Sequence, residues 1–199
     1  MKVKKIIGIS AIVLLCAIAV FAGVVFVHQY RDAKNSVEKF DDLKDLIVDV
    51  DTSILDKEPV NTSDTDDVDQ SDPDDTTVDE PKLSEADLAN EKYKALFEKN
   101  NDFVGWICID GTNINYPVMW TPNSPDYYLK HSFEKEYSDY GVPYIDEACV
   151  MGESNNYVIY GHHMKNETMF HDLCNYASKE FYDEHPTIKF DTLFGFGEY

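Results

Sequence analysis

An unbroken apolar run near the N-terminus is the strongest pattern in the sequence. Ile6–Val27 holds no charged residue over about 22 positions, and at ~1.5 Å rise per residue a helix of that length crosses the hydrocarbon core of a bilayer. Lysines precede the run, which favours a cytoplasmic N-terminus and an extracellular remainder. The run is also longer than the apolar core of a signal peptide. We therefore predict a single-pass membrane anchor over residues 1–28.

Two further changes of pattern precede the folded part. Apolar residues recur at three- and four-residue steps after the anchor, which predicts a juxtamembrane helical stalk over 29–55, either continuing the membrane helix or forming a short coiled coil. Residues 56–82 are rich in Asp, Thr and Ser and have almost nothing apolar to bury, which is typical of a disordered acidic linker. We expect this linker to act as a spacer that lifts the following domain off the membrane.

Residues 83–199 alternate between helical and strand patterns. Ser84 can cap a helix that runs to Lys99, and two apolar strands at 103–109 and 112–119 flank an Asp-Gly turn. Pro117 suggests that the second of these is an edge strand or ends there. We predict further strands at 141–145, 157–160, 187–191 and 195–199, a short turn at 127–129 and one helix over 168–184. Hairpins with helices packed outside favour a mainly β domain, a barrel or a curved open sheet.

Charge and cysteine content narrow the function classes. The chain has 17 basic and 38 acidic residues, a formal net charge of −21, which argues against nucleic acid as a partner because phosphate binding needs clustered Lys and Arg. Three of its four cysteines, Cys108, Cys149 and Cys174, lie outside the apolar run, so they cannot all pair internally. Their spacing suits neither a zinc ribbon nor a disulfide scaffold, and we expect them to be small buried apolar residues.

The candidate chemistry lies in Tyr160-Gly161-His162-His163-Met164, just past a short apolar strand. An imidazole held at a strand end can move protons near neutral pH. His162 and His163 are adjacent, so on a regular strand they would point to opposite faces and only one would face a given cleft. No histidine or cysteine spacing matches a metal site, so we expect no metal and no cofactor.

Residues 100–191 resemble a class B sortase, a surface-anchored cysteine transpeptidase of Gram-positive bacteria. Several short motifs carry the resemblance, in this order along the chain: Val104-Gly105-Trp106-Ile107, Ile109 to Val118, Tyr127-Tyr128-Leu129, Phe133, Tyr140-Gly141, Tyr160 to Met164, Asn166-Glu167-Thr168-Met169-Phe170 and Glu180 to Pro186. An N-terminal anchor and an extracellular spacer also fit the layout of that family.

The resemblance implies a sortase-type β-barrel over 83–199 that cleaves a sorting signal similar to Asn-Pro-x-Thr-Asn/Gly after Thr. The acyl group would pass to an amine of peptidoglycan or of its lipid-linked precursor. By resemblance His162 is the catalytic histidine, which protonates the leaving amine and deprotonates the incoming one. Tyr160 and Leu129 match positions that line the substrate groove. Many members have Asn where this chain has Pro125, so contacts there differ.

The resemblance also implies a cysteine nucleophile in a Thr-Leu-x-Thr-Cys-type strand, followed by an arginine. Neither follows His162 in this sequence, and Arg31 is the only arginine. We therefore expect an N-terminal part of a class B sortase that is inactive by itself, because acyl transfer needs a nucleophile and oxyanion stabilisation. The alternative is a non-catalytic membrane-tethered module that binds a peptide in its groove.

Overall fold

The computed structural model describes residues 2–55 and 83–199, so the predicted acidic linker falls outside the described residues. Three α helices and five strands lie in those two ranges. In chain order they are α1 (Lys2–Lys44), α2 (Glu85–Lys99), β1 (Phe103–Cys108), β2 (Asn115–Met119), β3 (Tyr144–Ile145), β4 (Ile159–Tyr160), α3 (Lys179–Glu184) and β5 (Lys189–Thr192). Short 3₁₀ turns occur at Thr52–Ile54, Tyr127–Leu129 and Phe170–Ala177.

Helix α1 joins an apolar segment to the body of the domain without a break. Its segment Leu14–Asp32 is long and apolar enough to cross a membrane, judged by length and composition alone, and none of it is buried inside the protein. The last turns differ, because Phe40 and Leu43 are buried in the core. Just beyond the helix, the Val48 N–H donates to the backbone oxygen of Lys92 in α2, 3.1 Å away. The end of α1 is thus part of the folded body.

Helix α2 begins at a capping box, which confirms the predicted helix start. The Ser84 hydroxyl accepts the Asp87 N–H at 3.1 Å, and the Asp87 carboxylate accepts the Ser84 N–H at 3.0 Å. Leu88, Tyr93 and Leu96 form the buried face. This face packs on β1, where the Tyr93 ring contacts Phe103 with centroids 5.7 Å apart.

The strands form one mixed sheet in the order β4-β3-β2-β1-β5. β1 pairs antiparallel with β2 and with β5, β3 pairs antiparallel with β4, and β2 pairs parallel with β3. The predicted hairpin is therefore confirmed. Pro117 lies in β2 opposite Trp106, and β3 meets β2 only at Met119, so the side of Pro117 away from β1 has no ladder partner to lose.

Several sequence-based bounds change in the structure. The single helix predicted over 168–184 is wrong: a 3₁₀ segment ends at Ala177, Ser178 is extended at φ −90° and ψ 132°, and α3 follows. The strands predicted at 141–145 and 157–160 shorten to two residues each. Residues 195–199 pair back on β5 through isolated bridges rather than as a full strand. Helices packed on a mainly β body agree with the predicted fold class, and closure into a barrel stays a prediction.

Candidate functional site

His162 lies two residues past the edge strand β4, half-buried and held at two points. Its ring nitrogen Nε2 is 2.7 Å from the backbone oxygen of Leu129. Its own backbone oxygen accepts the N–H of Phe170 at 2.9 Å. The imidazole is therefore fixed both through its ring and through its main chain, which limits the orientations that it can adopt.

The hydrogen bond to Leu129 assigns the ring tautomer of His162. A carbonyl oxygen only accepts hydrogen bonds, so Nε2 must carry the proton that it donates. In the neutral ring Nδ1 is then the basic nitrogen. An imidazole with one nitrogen pinned as a donor and the other basic is the arrangement required of a group that takes up and releases a proton.

The cleft beside His162 has a volume of about 560 Å³. It brings together side chains from α1, from the turn after Leu129 and from the segment after β4. The lining residues are Asp32, Lys130, Asp139, Tyr140, His162, His163, Met164, Lys165 and Asn166. Two lysines and two aspartates balance each other, so the cleft is polar without a strong excess of either charge.

Asp139 is a charged group of the cleft with two hydrogen-bond donors. Its Oδ1 accepts from Lys130 Nζ at 3.0 Å and from the Tyr137 hydroxyl at 2.8 Å. The hydrogen bond from Lys130, then that from Tyr137, holds the pKa of the Asp139 carboxyl below its ordinary value, and the nearby His162 acts in the same direction. Asp139 therefore stays ionised near neutral pH and keeps a negative charge at the cleft.

A tight backbone approach positions Leu129. Gly141 has φ +59°, and a Cβ there would meet the Tyr128 carbonyl oxygen and lie 2.8 Å from that of Leu129. The Val142 N–H donates to the Tyr128 oxygen at 3.0 Å. Only glycine suits both the left-handed conformation and the close contact, so Gly141 fixes the turn whose carbonyl receives His162.

The predicted site residues come together only in part. His162 and Leu129 meet through their hydrogen bond, whereas Tyr160 lies on edge strand β4 with 42% of its surface exposed. The Tyr160 hydroxyl donates to Asp146 Oδ2 at 2.8 Å, and that bond raises the pKa of the phenol. Neither Tyr160 nor the Leu129 side chain is among the residues that line the cleft.

The expectation that only one of the two adjacent histidines would face a cleft is wrong. His162 and His163 both line it, because the chain leaves the regular strand at Tyr160 and strand alternation no longer applies. Their surroundings differ: the His163 ring packs against His171 with centroids 4.6 Å apart, while His162 bonds to Leu129. His162 is the more enclosed of the two.

The cysteines of the described chain lie away from this cleft. The buried Cys149 points its Sγ at the backbone oxygen of Asn156, 3.6 Å away, and Cys108 lies at the end of β1 against Asp110. Burial, then the Asp110 carboxylate, raises the pKa of the Cys108 thiol, which disfavours the reactive thiolate. The expectation of small buried residues therefore holds for Cys149, only in part for the half-buried Cys108, and fails for the exposed Cys174.

Sequence reasoning missed most of the cleft. Lys130 and Asp139 reach the cleft from a loop that no strand or helix pattern predicts, and Asp32 reaches it from α1. Only the position of Lys130, directly after the predicted groove residue Leu129, could have indicated from sequence that it lines the cleft. Within residues 2–55 and 83–199, no three His, Cys, Asp or Glu side chains converge as metal ligands.

Gly161→Ala tests how tightly the histidine segment is packed. A Cβ at Gly161 would lie 2.6 Å from Cδ2 and 2.7 Å from Cε2 of the buried Phe170 ring. The ring must shift or the chain at His162 must move, and overpacking of this kind costs about 1–3 kcal/mol. A thermal melt should show the loss, with Gly23→Ala as the control because nothing lies within 4 Å of that position. Equal melting temperatures of the two variants would contradict the tight packing of Phe170 on Gly161.

Comparison with known families identifies residues 107–193 as a match to the family described as "Sortase domain". The Sortase B of Staphylococcus aureus is 37% identical over 105 residues, covering 52% of this chain and 43% of that protein. The Sortase B of Listeria monocytogenes is 35% identical over 103 residues, covering 51% and 42%. The chain thus spans under half the length of the curated relatives that it matches.

Solved structures give the same result. The Staphylococcus aureus sortase B–substrate complex matches with a TM-score of 0.52 and 34% identity, covering 55% of this chain and 50% of the solved chain. At that identity the likeness extends to sequence as well as fold. The residues that match the family, 107–193, contain the end of β1, strands β2 to β5 and the histidine segment described above.

Proposed function

We propose, from the premise that this chain carries a class B sortase domain, that it supplies the anchor and the proton-transferring histidine of a cell-surface transpeptidase. The proposed organisation is an anchor over 1–28, a juxtamembrane helical segment over 29–55, a linker over 56–82 and the catalytic domain over 83–199. The end of the helical segment, at Phe40 and Leu43, packs into the core of that domain. The complete enzyme would cleave a sorting signal on surface proteins and join them to peptidoglycan.

His162 is the proposed acid and base. The hydrogen bond from Nε2 to Leu129 is the observation that carries this proposal, because it leaves Nδ1 as the basic nitrogen of a fixed ring. The protonated ring would donate to the leaving amine, and the neutral ring would then accept a proton from the incoming amine.

The proposed substrates and partners follow from the relatives and from helix α1. One relative was solved as a substrate complex, which supports a sorting-signal peptide as the substrate. The resemblance to the groove positions of the family would place that peptide beside Leu129 and Tyr160. The acceptor would be an amine of peptidoglycan or of its lipid-linked precursor. Segment Leu14–Asp32 supports anchoring in the cell membrane, with the N-terminus in the cytoplasm and the domain outside.

The 199-residue chain should lack transpeptidase activity by itself. Cys108, Cys149 and Cys174 are held elsewhere, so no thiol of the described chain stands beside His162. Acyl transfer through a thioester needs a thiolate within reach of the proton carrier. We expect no cleavage of a fluorogenic Asn-Pro-x-Thr-x peptide by this chain in nanodiscs, above the peptide's rate in buffer.

A chimera provides the positive arm of that experiment. The part of the Staphylococcus aureus Sortase B that lies beyond the matched segment would follow residue 199, and the chimera should cleave the same peptide. The proposal fails if the chimera folds cooperatively, binds the peptide and still does not cleave it. Cleavage by the 199-residue chain that disappears with Cys174→Ala would show instead that a cysteine placed here outside the site is the nucleophile.

Peptide binding without chemistry is a second candidate, favoured by one observation. The cleft of about 560 Å³ is already formed by residues of this chain. Fluorescence anisotropy with a labelled sorting peptide tests it on the 199-residue chain, with a scrambled peptide as the control. Saturable binding lost with Lys130→Ala would support a binding module, and equal binding of both peptides would exclude it.

A further inference from the structure

Met169 has an unusual backbone conformation next to the site. It is 1% exposed, with φ 57° and ψ −134°, a combination that a residue with a side chain rarely adopts. Such a conformation persists only where the surroundings enforce it, and it is concentrated at functional sites. The cause must therefore lie in what Met169 contacts.

The Tyr116 hydroxyl is that contact. It accepts the Met169 N–H at 3.0 Å in a buried position and reaches across from β2, far away in sequence. Tyr116 is 6% exposed, and burial raises the pKa of its phenol to about 12, so the hydroxyl stays neutral near pH 7. The Phe40 ring of α1 packs edge-on against Tyr116 with centroids 5.0 Å apart. This packing fixes the position of the hydroxyl.

The Met169 segment in turn holds His162. Phe170 follows Met169 directly, and its N–H donates to the His162 backbone oxygen at 2.9 Å. His163 and Met169 form an isolated antiparallel bridge. Both histidines are thus joined to the segment whose conformation Tyr116 sets, while the His162 ring is joined to Leu129 on its other side.

We infer that Tyr116 is a positioning residue for His162: its hydroxyl fixes Met169, and Met169 places the Phe170 N–H that holds the histidine main chain. Phe40 extends this support to the end of α1. Tyr116 does not line the cleft and lies outside the predicted site. The catalytic meaning of this support rests on the proposed function, whereas the structural link can be measured without any activity.

Nitrogen NMR of the 199-residue chain in nanodiscs tests the link. Tyr116→Phe keeps the ring and removes the oxygen, so exchange of the Met169 and Phe170 amide protons should become about fivefold faster. The His162 ring should move from one dominant Nε2–H tautomer toward a mixture. The control is Tyr157→Phe, because the Tyr157 hydroxyl also accepts a backbone N–H, that of Gly152 at 2.9 Å, but in an exposed position away from Met169. That control should leave the His162 signals unchanged.

An unchanged His162 tautomer and unchanged exchange in folded Tyr116→Phe would overturn the inference, as would an equal change in Tyr157→Phe. If Tyr116→Phe does not fold, Phe40→Leu provides the test, since it keeps the Tyr116 hydroxyl but removes the ring contact. We expect a smaller change of the His162 tautomer in the same direction. An unchanged tautomer in Phe40→Leu would overturn the inference.

The chimera separates the inference from the proposed function. There Tyr116→Phe should lower kcat about tenfold with little change in KM, as expected when a reacting group is misplaced. A changed tautomer together with an inactive parent chimera would refute the proposed function and leave the positioning role standing. A changed tautomer with an unaltered kcat in an active chimera would overturn the catalytic part of the inference.

Discussion

His162→Ala should reduce kcat/KM of the chimera by about 10²- to 10⁴-fold, the range that general acid–base groups contribute. The loss should fall mainly on kcat, because in the proposed function the ring transfers protons and contributes little to holding the peptide. The structure gives the reason: a ring pinned through Nε2 presents Nδ1 as its basic nitrogen, and no other histidine of the described chain bonds to Leu129. Steady-state hydrolysis of the fluorogenic peptide measures the effect.

Two matched variants make this result specific. His163→Ala removes the neighbouring ring that also lines the cleft, and we expect a loss of less than about tenfold because that ring packs on His171. His185→Ala removes a remote ring whose Nδ1 lies 2.8 Å from the Asp110 backbone oxygen, and kcat should not change. If His163→Ala were the inactive variant and His162→Ala active, the assignment of the acid and base would be wrong.

Asn100→Ala should give the largest loss of stability, about 3 kcal/mol. Asn100 is 4% exposed and uses its whole amide: Nδ2 donates to the Tyr128 hydroxyl at 2.8 Å and to the Phe133 backbone oxygen at 2.7 Å, while Oδ1 accepts the Asp102 N–H at 3.0 Å. Alanine removes the hydrogen bonds to these three partners, and each buried group left unpaired costs about 1–3 kcal/mol of stability. The side chain joins the end of α2 to the turn that carries Leu129.

Thermal unfolding of the full chain in nanodiscs, followed by near-ultraviolet circular dichroism, measures the change. Asn90→Ala is the matched control, because the Asn90 amide also makes two hydrogen bonds, to the Ala86 and Leu193 oxygens, but in an exposed position. It should cost about 0.5 kcal/mol or less. Similar losses in the two variants would show that burial of Asn100 does not decide its contribution.

The parts of the fold that local patterns determine agree with the sequence prediction. Helix α2 follows from the Ser84 capping box and its apolar face, and the β1–β2 hairpin follows from alternation around an Asp-Gly turn. The motifs that carry the sortase resemblance lie mostly within residues 107–193, which match the family. Each of these signals spans a few neighbouring residues, so no long-range information was needed.

The rest depends on contacts between distant residues. The apolar periodicity over 168–184 does not reveal that Ser178 is extended. Ser178 instead caps the start of a separate helix, α3. The parallel contact between Met119 and Tyr144 joins strands that are not sequence neighbours. Asp139 reaches the cleft only because the turn after Leu129 folds back on it. Distances of this kind are set by packing and have no signature in one sequence.

Because α1 is continuous, it sets how far the cleft lies from the apolar segment at the start of the chain. Asp32, the last residue of the apolar segment, lines the same cavity as His162, and the helix is buried in the body by Phe40, about 12 Å further on at ~1.5 Å per residue. If that segment sits in a bilayer, the cleft lies level with the lipid headgroups, and not at the distance from the membrane that we expected from a spacer over residues 56–82. A substrate tethered to the same membrane would then meet the imidazole by diffusion in two dimensions, whereas a free peptide would have to find it from the bulk.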